Sequence, residues 1–336
     1  MKINIAINGF GRIGRLILRA IYEKNNNNIN VKAINDLGSI ESNAHLFNYD
    51  TTHGQLNNKI ESNKSGFIIN NKLIKIFNKK DPEELPWKKL GIDIVLECTG
   101  IFASKEKSMK HIIAGAKKVI ISAPAPEVDA TIVQGVNDNI LKKQHKIISN
   151  GSCTTNCLAP VAMILDKSIG IKSGYMTTIH SFTGDQSTLD TLHKDLRRAR
   201  TASESLIPTS TGAAKALGLV LPKMKGKLDG TAIRVPTSNV SLIDLTFVSK
   251  KKTTIEDINN LIIRASKSKT LKGILTTNKL PLVSKDFNHN PASSIFDLTQ
   301  TQVINENFCR VLSWYDNEWG FSNRMIDSAL QLGKLI

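Results

Sequence analysis

A cysteine in the middle of the chain carries the clearest sign of covalent chemistry. The sequence Ser-Asn-Gly-Ser-Cys-Thr-Thr-Asn-Cys joins a predicted strand that ends at Ser149 to a predicted helix that begins near Cys153. A thiol at a helix N-terminus lies in positive potential, which favours the thiolate and makes the sulfur nucleophilic near neutral pH. Cys153 is therefore the candidate nucleophile.

A second cysteine, Cys157, follows four residues later, which would place both sulfurs on one face of a helix. This spacing allows a metal site or a redox pair as an alternative to nucleophilic catalysis. A zinc site needs a second pair of ligands at suitable spacing, and the sequence offers none. We therefore expect no metal, and we interpret Cys157 as a buried, unreactive thiol.

A histidine supplies the base that a thiol nucleophile needs. His180 closes a predicted strand, Gly174–His180, and faces a long segment, Ser181–Ser205, that has little apolar periodicity. An imidazole there could take the Cys153 proton as a general base and return it later as an acid. Taken alone, a histidine at a strand end is more often structural than catalytic.

A glycine-rich turn near the N-terminus has the form of a dinucleotide-binding fingerprint. Gly9, Gly11 and Gly14 follow a predicted strand and open a predicted helix. This arrangement allows a tight turn, close approach of backbone amides to a pyrophosphate, and close helix–strand packing. Asp36 ends the next strand, where its carboxylate can bind ribose hydroxyls and would repel a 2′-phosphate. The pattern predicts NAD rather than NADP.

The first half of the chain must position this fingerprint. Short β-branched runs alternate there with helical stretches, which is typical of parallel strands joined by crossover helices. The predicted strands are Ile3–Asn8, Val31–Asn35, Ile92–Glu97 and Lys118–Ser122, with a hairpin of Gly66–Asn70 and Leu73–Phe77. The predicted helices are Gly11–Lys24, Ile40–Phe47 and Lys105–Ala114. We interpret this half as an α/β domain, a Rossmann-type doubly wound NAD-binding domain.

The second half, which must position Cys153 and His180, has longer predicted strands. After the helix that begins near Cys153, the predicted strands are Gly174–His180, Gly230–Pro236, Val240–Lys250 and Asn307–Tyr315. Two further helices are predicted, at Thr254–Ser268 and Trp319–Leu332. This pattern favours an α+β catalytic domain with a mainly antiparallel sheet, covered on one face by helices. The segment Ser181–Ser205 is too long for an ordinary connection, and such loops are usually functional or disordered.

Length and composition narrow the class of protein. A chain of 336 residues favours two domains, and 40% hydrophobic residues exclude a disordered or fibrous protein. No apolar run reaches the roughly 18–20 residues of a membrane span. Four cysteines are too few for a disulfide scaffold, which fits a reducing compartment, so we expect a cytoplasmic protein. The net charge of +16 suggests anionic partners or a compositional bias without function.

Several blocks of sequence, taken in order, resemble one enzyme family. They are Asn8–Gly14, Ser152–Cys157, Thr177–Asp185, His193–Arg200, Pro208–Lys215, Arg234–Thr237 and Trp314–Trp319. Over essentially its whole length, the chain resembles phosphorylating glyceraldehyde-3-phosphate dehydrogenase. The resemblance implies that Cys153 attacks the aldehyde to give a hemithioacetal, which loses hydride to NAD and becomes a thioester. Inorganic phosphate would then release 1,3-bisphosphoglycerate, with His180 moving protons and the Cys153 amide as an oxyanion donor.

The same resemblance implies two anion sites and a set of cofactor contacts. The substrate phosphate would be held by Thr183, Asp185 and Arg234. The attacking phosphate would be held by Ser152, Thr154, Arg198, Thr211 and Gly212, although a Ser or Thr taken singly more often caps a helix or a turn. The cofactor would contact Gly9, Gly11, Arg12, Ile13, Gly14, Asp36, Lys80 (where an arginine is usual), Ser122 and, at its carboxamide, Asn317.

The resemblance also implies an organisation for the chain. We expect an NAD-binding domain at 1–151, a catalytic domain at 152–316, and a C-terminal helix at 317–336 that packs back on the first domain. The long loop at 181–205 resembles one that reaches a neighbouring subunit's cofactor site, which implies a homotetramer.

Two alternatives stay open. Erythrose-4-phosphate dehydrogenase shares the fold, the cysteine and the histidine, but water resolves its thioester. Relatives of that kind lack counterparts of Thr183 and of Thr211 with Gly212, so we favour the phosphorylating enzyme.

Nucleic-acid binding is suggested by the net charge, but aromatic residues are only 5% and the basic residues are spread along the chain, so we expect no specific nucleic-acid complex. We expect no membrane partner either.

Overall fold

The apolar run near the start of the chain forms a central, buried strand of the first sheet. In this computed structural model, which describes residues 2–24, 26–57 and 60–336, strand β1 (Ile3–Asn8) has almost every side chain buried. The chain divides into two units. One comprises Met1–Ile132, Asp138–Gly151 and Ser322–Ile336, and the other comprises Val133–Asn137 and Ser152–Phe321.

The first unit is a parallel sheet with crossover helices. After β1 its elements are α1 (Arg12–Glu23), β2 (Ile29–Asn35), α2 (Ile40–Asn48), β3 (Tyr49–Asp50), β4 (Gly54–Gln55), β5 (Glu61–Asn63), β6 (Gly66–Ile69), β7 (Lys72–Phe77), α3 (Trp87–Leu90), β8 (Ile94–Glu97), α4 (Lys105–Ile113), β9 (Lys118–Ile121), β10 (Ala130–Thr131) and β11 (Ile147–Ser149). The sheet order is β10-β11-β9-β8-β1-β2-β7-β6-β5, and β3 pairs with β4 separately. Pairing is parallel from β10 to β7 and antiparallel at the β7-β6-β5 edge.

Local chemistry explains where several of these elements begin and turn. Ser39 and Ser104 precede α2 and α4, and each side chain accepts a hydrogen bond from a backbone N–H in the first turn of its helix. Asn70 and Asn71 form the two-residue turn of the β6–β7 hairpin with φ values of 49° and 60°. Asparagine tolerates this left-handed conformation, which matches the twist of a hairpin.

The second unit is a mixed sheet covered by helices. Its elements are α5 (Cys153–Ser168), β12 (Ile171–Ser181), β13 (Ile207–Ser210), α6 (Ala213–Val220), β14 (Leu228–Val235), β15 (Ser241–Ser249), α7 (Ile255–Ser266), β16 (Leu275–Asn278), β17 (Ser294–Asp297), β18 (Gln302–Ile304) and β19 (Phe308–Tyr315). The order is β13-β14-β12-β15-β19-β17-β16, with β18 beside β19. Buried residues of α5, α6 and α7 pack with those of the sheet in one apolar core.

A last helix, α8 (Trp319–Gly333), belongs to the second unit up to Phe321 and to the first unit from Ser322. Within the first unit, the Ser328 hydroxyl donates to Asn150 Oδ1 at 2.7 Å. Gly333 lies so close to Ile3 that a Cβ would come within 2.1 Å of its side chain. The end of α8 is therefore packed directly against the start of β1.

The predicted fold class is confirmed, and the predicted elements are present with ends shifted by up to three residues. Sequence analysis did not predict α6 or the short strands β16, β17 and β18. The second sheet is mainly antiparallel as expected, but β12 pairs with β14, and β16 with β17, in parallel. None of the described helices combines the length and the apolarity that crossing a membrane requires.

Candidate active site

The start of α5 presents Cys153. Gly151 has a φ of 65°, a left-handed conformation that favours glycine, and it turns the chain from β11 toward the helix. Ser152 then caps the helix, because its Oγ accepts the Thr155 N–H at 3.0 Å. Cys153 is consequently the first helical residue and is partly buried.

His180 lies against the cysteine. Its Nε2 is 3.5 Å from Cys153 Sγ, and its Nδ1 is 2.7 Å from the backbone oxygen of Ser181. Two groups face Nδ1, namely the Ser181 carbonyl oxygen, which can only accept a hydrogen bond, and Arg234 Nη1 at 3.0 Å, which can only donate one. With the proton on Nδ1, donated to Ser181, the lone pair of Nε2 faces the sulfur, which is the orientation that a base needs.

The surroundings decide the charge of this pair. Burial lowers the pKa of His180 to about 3, and the positive charge of Arg234 acts in the same direction. Burial raises the pKa of Cys153, while Arg234 opposes that rise. The thiolate expected from the helix N-terminus alone is thus opposed by burial. At neutral pH the imidazole is neutral and can take the thiol proton.

Arg234 is placed beside His180 by strand register, since the two residues are partners in the parallel pair β12–β14. Its Nη1 donates to the Ser181 backbone oxygen at 2.9 Å and to Thr183 Oγ1 at 3.4 Å. The structure therefore brings together two residues predicted for the substrate phosphate, Thr183 and Arg234, next to the predicted base.

Arg198 connects the two predicted anion sites. Its Nη1 donates to Asp185 at 2.8 Å, its Nε to Thr209 Oγ1 at 2.9 Å, and its Nη2 to the Ser210 backbone oxygen at 3.2 Å. Sequence reasoning missed the supporting role of Thr209. Asp185, predicted for the substrate phosphate, is paired with an arginine predicted for the attacking phosphate.

The N-termini of two helices meet near these residues. The Thr155 hydroxyl, in the first turn of α5, donates to the backbone oxygen of Ala213, the first residue of α6, at 3.5 Å. Ser152, Thr211 and Gly212 precede these two helices, and Thr211 Oγ1 accepts the Ala213 N–H at 3.2 Å. Paired helix N-termini concentrate N–H donors and positive potential, which suits an anion.

Thr154 differs from the other residues of this set, because it is buried and its Oγ1 is 2.8 Å from the Tyr315 hydroxyl. The same hydroxyl is 2.8 Å from Thr178 Oγ1, and the Tyr315 ring packs edge-on against His180. Sequence reasoning did not predict Tyr315 at this site.

Cys157 is fully buried, and burial raises its pKa to about 12.

A cavity of about 520 Å³ lies at the carboxyl ends of the strands in the first unit. It is lined by residues of the fingerprint and of neighbouring loops, namely Asn8, Gly9, Gly11, Asn35, Asp36, Leu37, Lys79, Lys80, Cys98, Thr99, Ile101 and Phe102. Asp36 is fixed there because it accepts the backbone N–H groups of Phe10 and Gly38 at 2.7 and 2.8 Å. This is where doubly wound folds bind ligands.

Two glycines test whether this turn fits a dinucleotide. A Cβ on Gly14 would come within 2.1 Å of the Gly9 backbone oxygen, so the helix packs on the turn as the fingerprint requires. A Cβ on Gly11 would meet nothing within 4 Å, which leaves open space beside the helix N-terminus. Close packing behind the turn and open space in front of it fit a bound pyrophosphate.

The remaining predicted cofactor residues lie in different settings. Arg12 forms an ion pair with Asp50 at 2.6 Å, a partner that sequence reasoning missed, and Ile13 lies in the first turn of α1. Ser122 lies beside Cys98, where its side chain opposes the rise that burial causes in the pKa of the thiol. In the second unit, Asn317 Oδ1 accepts the hydroxyls of Ser181 and Ser241 at 2.8 and 2.9 Å, which orients its amide.

No group of three or more His, Cys, Asp or Glu side chains suitable for a metal ion occurs among the residues that the structure describes. Cys153 is partly buried at the start of α5, whereas Cys157 lies fully buried in the core of the second unit. All four cysteines are free thiols.

Comparisons with known proteins agree across the whole chain. A family model for the glyceraldehyde 3-phosphate dehydrogenase NAD-binding domain matches residues 3–105, and one for the C-terminal domain matches residues 152–317. A glyceraldehyde-3-phosphate dehydrogenase of Xanthobacter flavus is 58% identical, and one of Cereibacter sphaeroides is 54% identical, each over 100% of both chains. A chromosomally encoded one of Cupriavidus necator is 55% identical over 99% of both chains.

Proposed function

Because the chain belongs to the glyceraldehyde-3-phosphate dehydrogenase family, we propose that Cys153 and His180 oxidise glyceraldehyde 3-phosphate to 1,3-bisphosphoglycerate with NAD and inorganic phosphate. The activity and the cofactor follow from family membership, and the roles of individual residues are the proposal. One observation carries it. The sulfur of Cys153 lies 3.5 Å from His180 Nε2, the ring nitrogen that we assign as the proton acceptor.

In the first step, His180 Nε2 accepts the thiol proton as Cys153 Sγ attacks the aldehyde carbon. The proton then passes to the carbonyl oxygen, which gives a hemithioacetal. The Cys153 backbone N–H, at the start of α5, is the proposed donor to the developing oxyanion. His180 then takes the hydroxyl proton as the hemithioacetal becomes a thioester.

Bound NAD supplies the acceptor for the hydride that leaves the substrate carbon in this step. The proposed contacts of the chain with NAD are its backbone at Gly9, Gly11, Arg12, Ile13 and Gly14, together with Asp36, Lys80, Ser122 and Asn317. Two serine hydroxyls use the Asn317 carbonyl oxygen, which leaves its NH₂ group to donate to a carboxamide oxygen. For Arg12, whose guanidinium is paired with Asp50, the backbone is the proposed contact.

In the second half of the reaction, an oxygen of inorganic phosphate attacks the thioester carbon, and Cys153 leaves as a thiolate that recovers a proton from His180. We assign Arg198, Ser152, Thr211 and Gly212 to this phosphate, because the N-termini of α5 and α6 adjoin there. Thr154 contributes through its backbone, since its hydroxyl contacts Tyr315. Thr183 and Arg234 are assigned to the substrate phosphate, with Asp185 orienting Arg198.

The finer features of the enzyme are also proposals. We propose a homotetramer, because Leu189, Leu192 and Leu196 in the long loop are 76%, 100% and 82% exposed, which is unfavourable for a cluster of leucines unless another subunit covers it. The cytoplasm is the proposed location, because a reactive thiol and three further free cysteines suit a reducing compartment.

The covalent intermediate provides the test of these roles. The protein is mixed with NAD and glyceraldehyde 3-phosphate without inorganic phosphate, quenched in acid, and analysed by intact-protein and peptide mass spectrometry. We expect a 3-phosphoglyceroyl group on Cys153 that disappears when phosphate is added. Cys157→Ser should still acquire the group, whereas Cys153→Ser should not. An acyl group on another residue would contradict the assignment.

The substrate is tested separately by comparing two aldehydes. We expect NAD reduction with glyceraldehyde 3-phosphate to require inorganic phosphate and to be much faster than reduction with erythrose 4-phosphate. Comparable rates for both aldehydes, without dependence on phosphate, would instead identify an erythrose-4-phosphate dehydrogenase.

A further inference from the structure

We propose that Glu97 is a positioning residue of the cofactor cavity, held by His111 and Trp87 behind it, and that it sets the affinity for NAD through Asn8 and Thr99. The inference rests on the proposed function only in taking NAD as the ligand of this cavity. Glu97, His111 and Trp87 do not line the cavity, and none of them belongs to the proposed catalytic residues or cofactor contacts.

Glu97 is the last residue of β8, and the two residues that follow it, Cys98 and Thr99, line the cavity. The Glu97 side chain is buried, with the residue 1% exposed. Its Oε2 accepts Asn8 Nδ2 at 2.6 Å and His111 Nε2 at 3.0 Å. Its Oε1 accepts the backbone N–H of Thr99 at 2.7 Å and also the Thr99 hydroxyl. Asn8 and Thr99 both line the cavity, so one buried carboxylate holds two parts of its wall.

The contact with Asn8 extends to a third strand. Asn8 Oδ1 accepts Asn35 Nδ2 at 2.8 Å, and Asn35 Oδ1 accepts the backbone N–H of Lys79 at 2.9 Å. Asn8, Asn35 and Lys79 all line the cavity. Because Glu97 can accept only from the NH₂ end of Asn8, it fixes which end of each amide faces its neighbour.

The state of His111 follows from its other neighbour. Trp87 Nε1 donates to His111 Nδ1 at 3.1 Å, and an indole nitrogen can only donate. His111 Nδ1 is therefore without a proton, and Nε2 carries the proton that is donated to Glu97. Both side chains are fully buried, so no solvent competes for these bonds.

A role in packing alone does not account for this arrangement. A buried charge is costly unless hydrogen bonds compensate it, and an apolar side chain would fill the same space without that cost. Glu97 is compensated by four donors, and three of them come from residues that line the cavity. A glutamine at position 97 would turn its NH₂ group toward one pair of these donors and break the set.

The test measures NAD binding directly, by titration calorimetry of the full-length protein without substrate. We expect Glu97→Gln to raise the Kd for NAD about tenfold or more, which corresponds to about 1.4 kcal/mol or more. Asp93→Asn is the matched control. It replaces a carboxylate just before β8, where Asp93 accepts the Asn4 N–H at 2.9 Å, and its Kd should stay within about twofold of the wild-type value.

A second pair of variants separates positioning from folding. His111→Gln offers both a donor for Glu97 and an acceptor for Trp87, so it should keep the Kd for NAD within about threefold of wild type. His111→Leu removes both groups and should raise the Kd about tenfold. Thermal unfolding establishes that each titrated sample is folded.

A Kd for Glu97→Gln within twofold of wild type, or equal Kd values for His111→Gln and His111→Leu, would overturn the inference. Either result would leave the proposed activity in place. In contrast, a wild-type protein that binds NAD but does not oxidise glyceraldehyde 3-phosphate in a phosphate-dependent reaction would overturn the proposed function. That result would leave this inference in place.

Discussion

Cys153 and His180 form a pair in which a single proton decides reactivity. Burial alone would keep the thiol protonated and the imidazole neutral, since it raises the pKa of Cys153 and lowers that of His180. Once the proton has moved, the thiolate and the imidazolium attract each other at 3.5 Å in a site of low dielectric. We therefore expect His180 to activate the sulfur more than the helix N-terminus does.

This dependence predicts the behaviour of His180→Asn. Asparagine cannot accept the thiol proton, so the pH at which Cys153 reacts half-maximally with iodoacetamide should move upward. The rate of aldehyde oxidation should fall by about 10²- to 10⁴-fold. The control is Cys153→Ser, which should lose the reactive thiol itself. An unchanged alkylation profile in His180→Asn would show that the helix N-terminus suffices.

The lowered pKa of His180 also predicts a contribution to acid sensitivity. In the unfolded chain the imidazole takes up a proton below its ordinary pKa of 6.5, whereas in the folded protein it stays neutral down to about 3. Stability from this group is therefore complete above pH 6.5 and falls as the pH decreases toward 3, by about 1 kcal/mol per pH unit. Thermal unfolding from pH 7 to pH 5 should show a smaller loss in His180→Asn than in wild type. Equal losses would place the native pKa near 6.5.

Among the elements, the turn from β1 into α1 links sequence most directly to the NAD site. The apolar period and the glycine spacing predicted both elements, and the structure shows why each glycine is there. Gly14 has no room for a Cβ because the helix contacts the Gly9 backbone, whereas Gly11 has open space. We therefore expect Gly14 to serve mainly folding and Gly11 mainly ligand binding.

Alanine substitutions should separate these two uses. Gly14→Ala would force its Cβ against the Gly9 oxygen, so we expect a loss of about 2 kcal/mol or more of stability together with weaker NAD binding. Gly11→Ala should leave the melting temperature nearly unchanged but weaken NAD binding, since its Cβ enters the open space. The measurements are thermal unfolding and NAD titration. Equal effects of the two variants on stability would contradict this division.

Other elements could not be read from the sequence, for physical reasons. α6 has only eight residues, contains Gly218 and begins without a side-chain cap, so it is too short to establish a helical period although its alanines and leucines favour a helix. β16 and β17 have four residues each and contain no more than one Ile or Val, whereas the equally short β8 and β9 contain two and three. The parallel pairing of β12 with β14 was not predictable, because side chains alternate with period two in both kinds of sheet.

The candidate site shows the same limit. Cys153 and His180 were predicted by residue type and setting, but their proximity depends on packing between a helix and a strand. Tyr315, Asp50 and Thr209 meet predicted residues only through the tertiary fold. Thr209 and Tyr315 lie in sequence blocks that carry the resemblance, but no local pattern gives their contacts. The roles of the predicted site residues remain predictions that the variants above test.

At the scale of the whole molecule, charge and assembly are separate questions. Of the 45 Lys and Arg residues, we assign only Arg12, Lys80, Arg198 and Arg234 to ligands, so most of the +16 charge has no role in the proposed reaction. Non-specific attraction to polyanions from such a surface falls steeply with salt. We expect assembly to depend instead on the exposed leucines of the long loop.

Light scattering of the purified protein should give a mass four times that of the 37.0 kDa chain. Leu192→Asp should lower this mass, because it places a charge on a leucine that the tetramer would cover. Leu219→Asp is the control, since Leu219 is 65% exposed in α6, outside the loop. A monomeric wild-type protein, or equal dissociation of both variants, would contradict a tetramer built through this loop.

The proposed reaction depends on a thioester on Cys153 that inorganic phosphate resolves. The most direct measurement is the formation of NADH from NAD and glyceraldehyde 3-phosphate, followed at 340 nm over time as inorganic phosphate is varied. Without phosphate, we expect a rapid burst of about one NADH per active subunit and then almost no turnover, and with phosphate a steady rate that saturates. Steady turnover at the same rate without phosphate would show that water resolves the intermediate and would contradict the account.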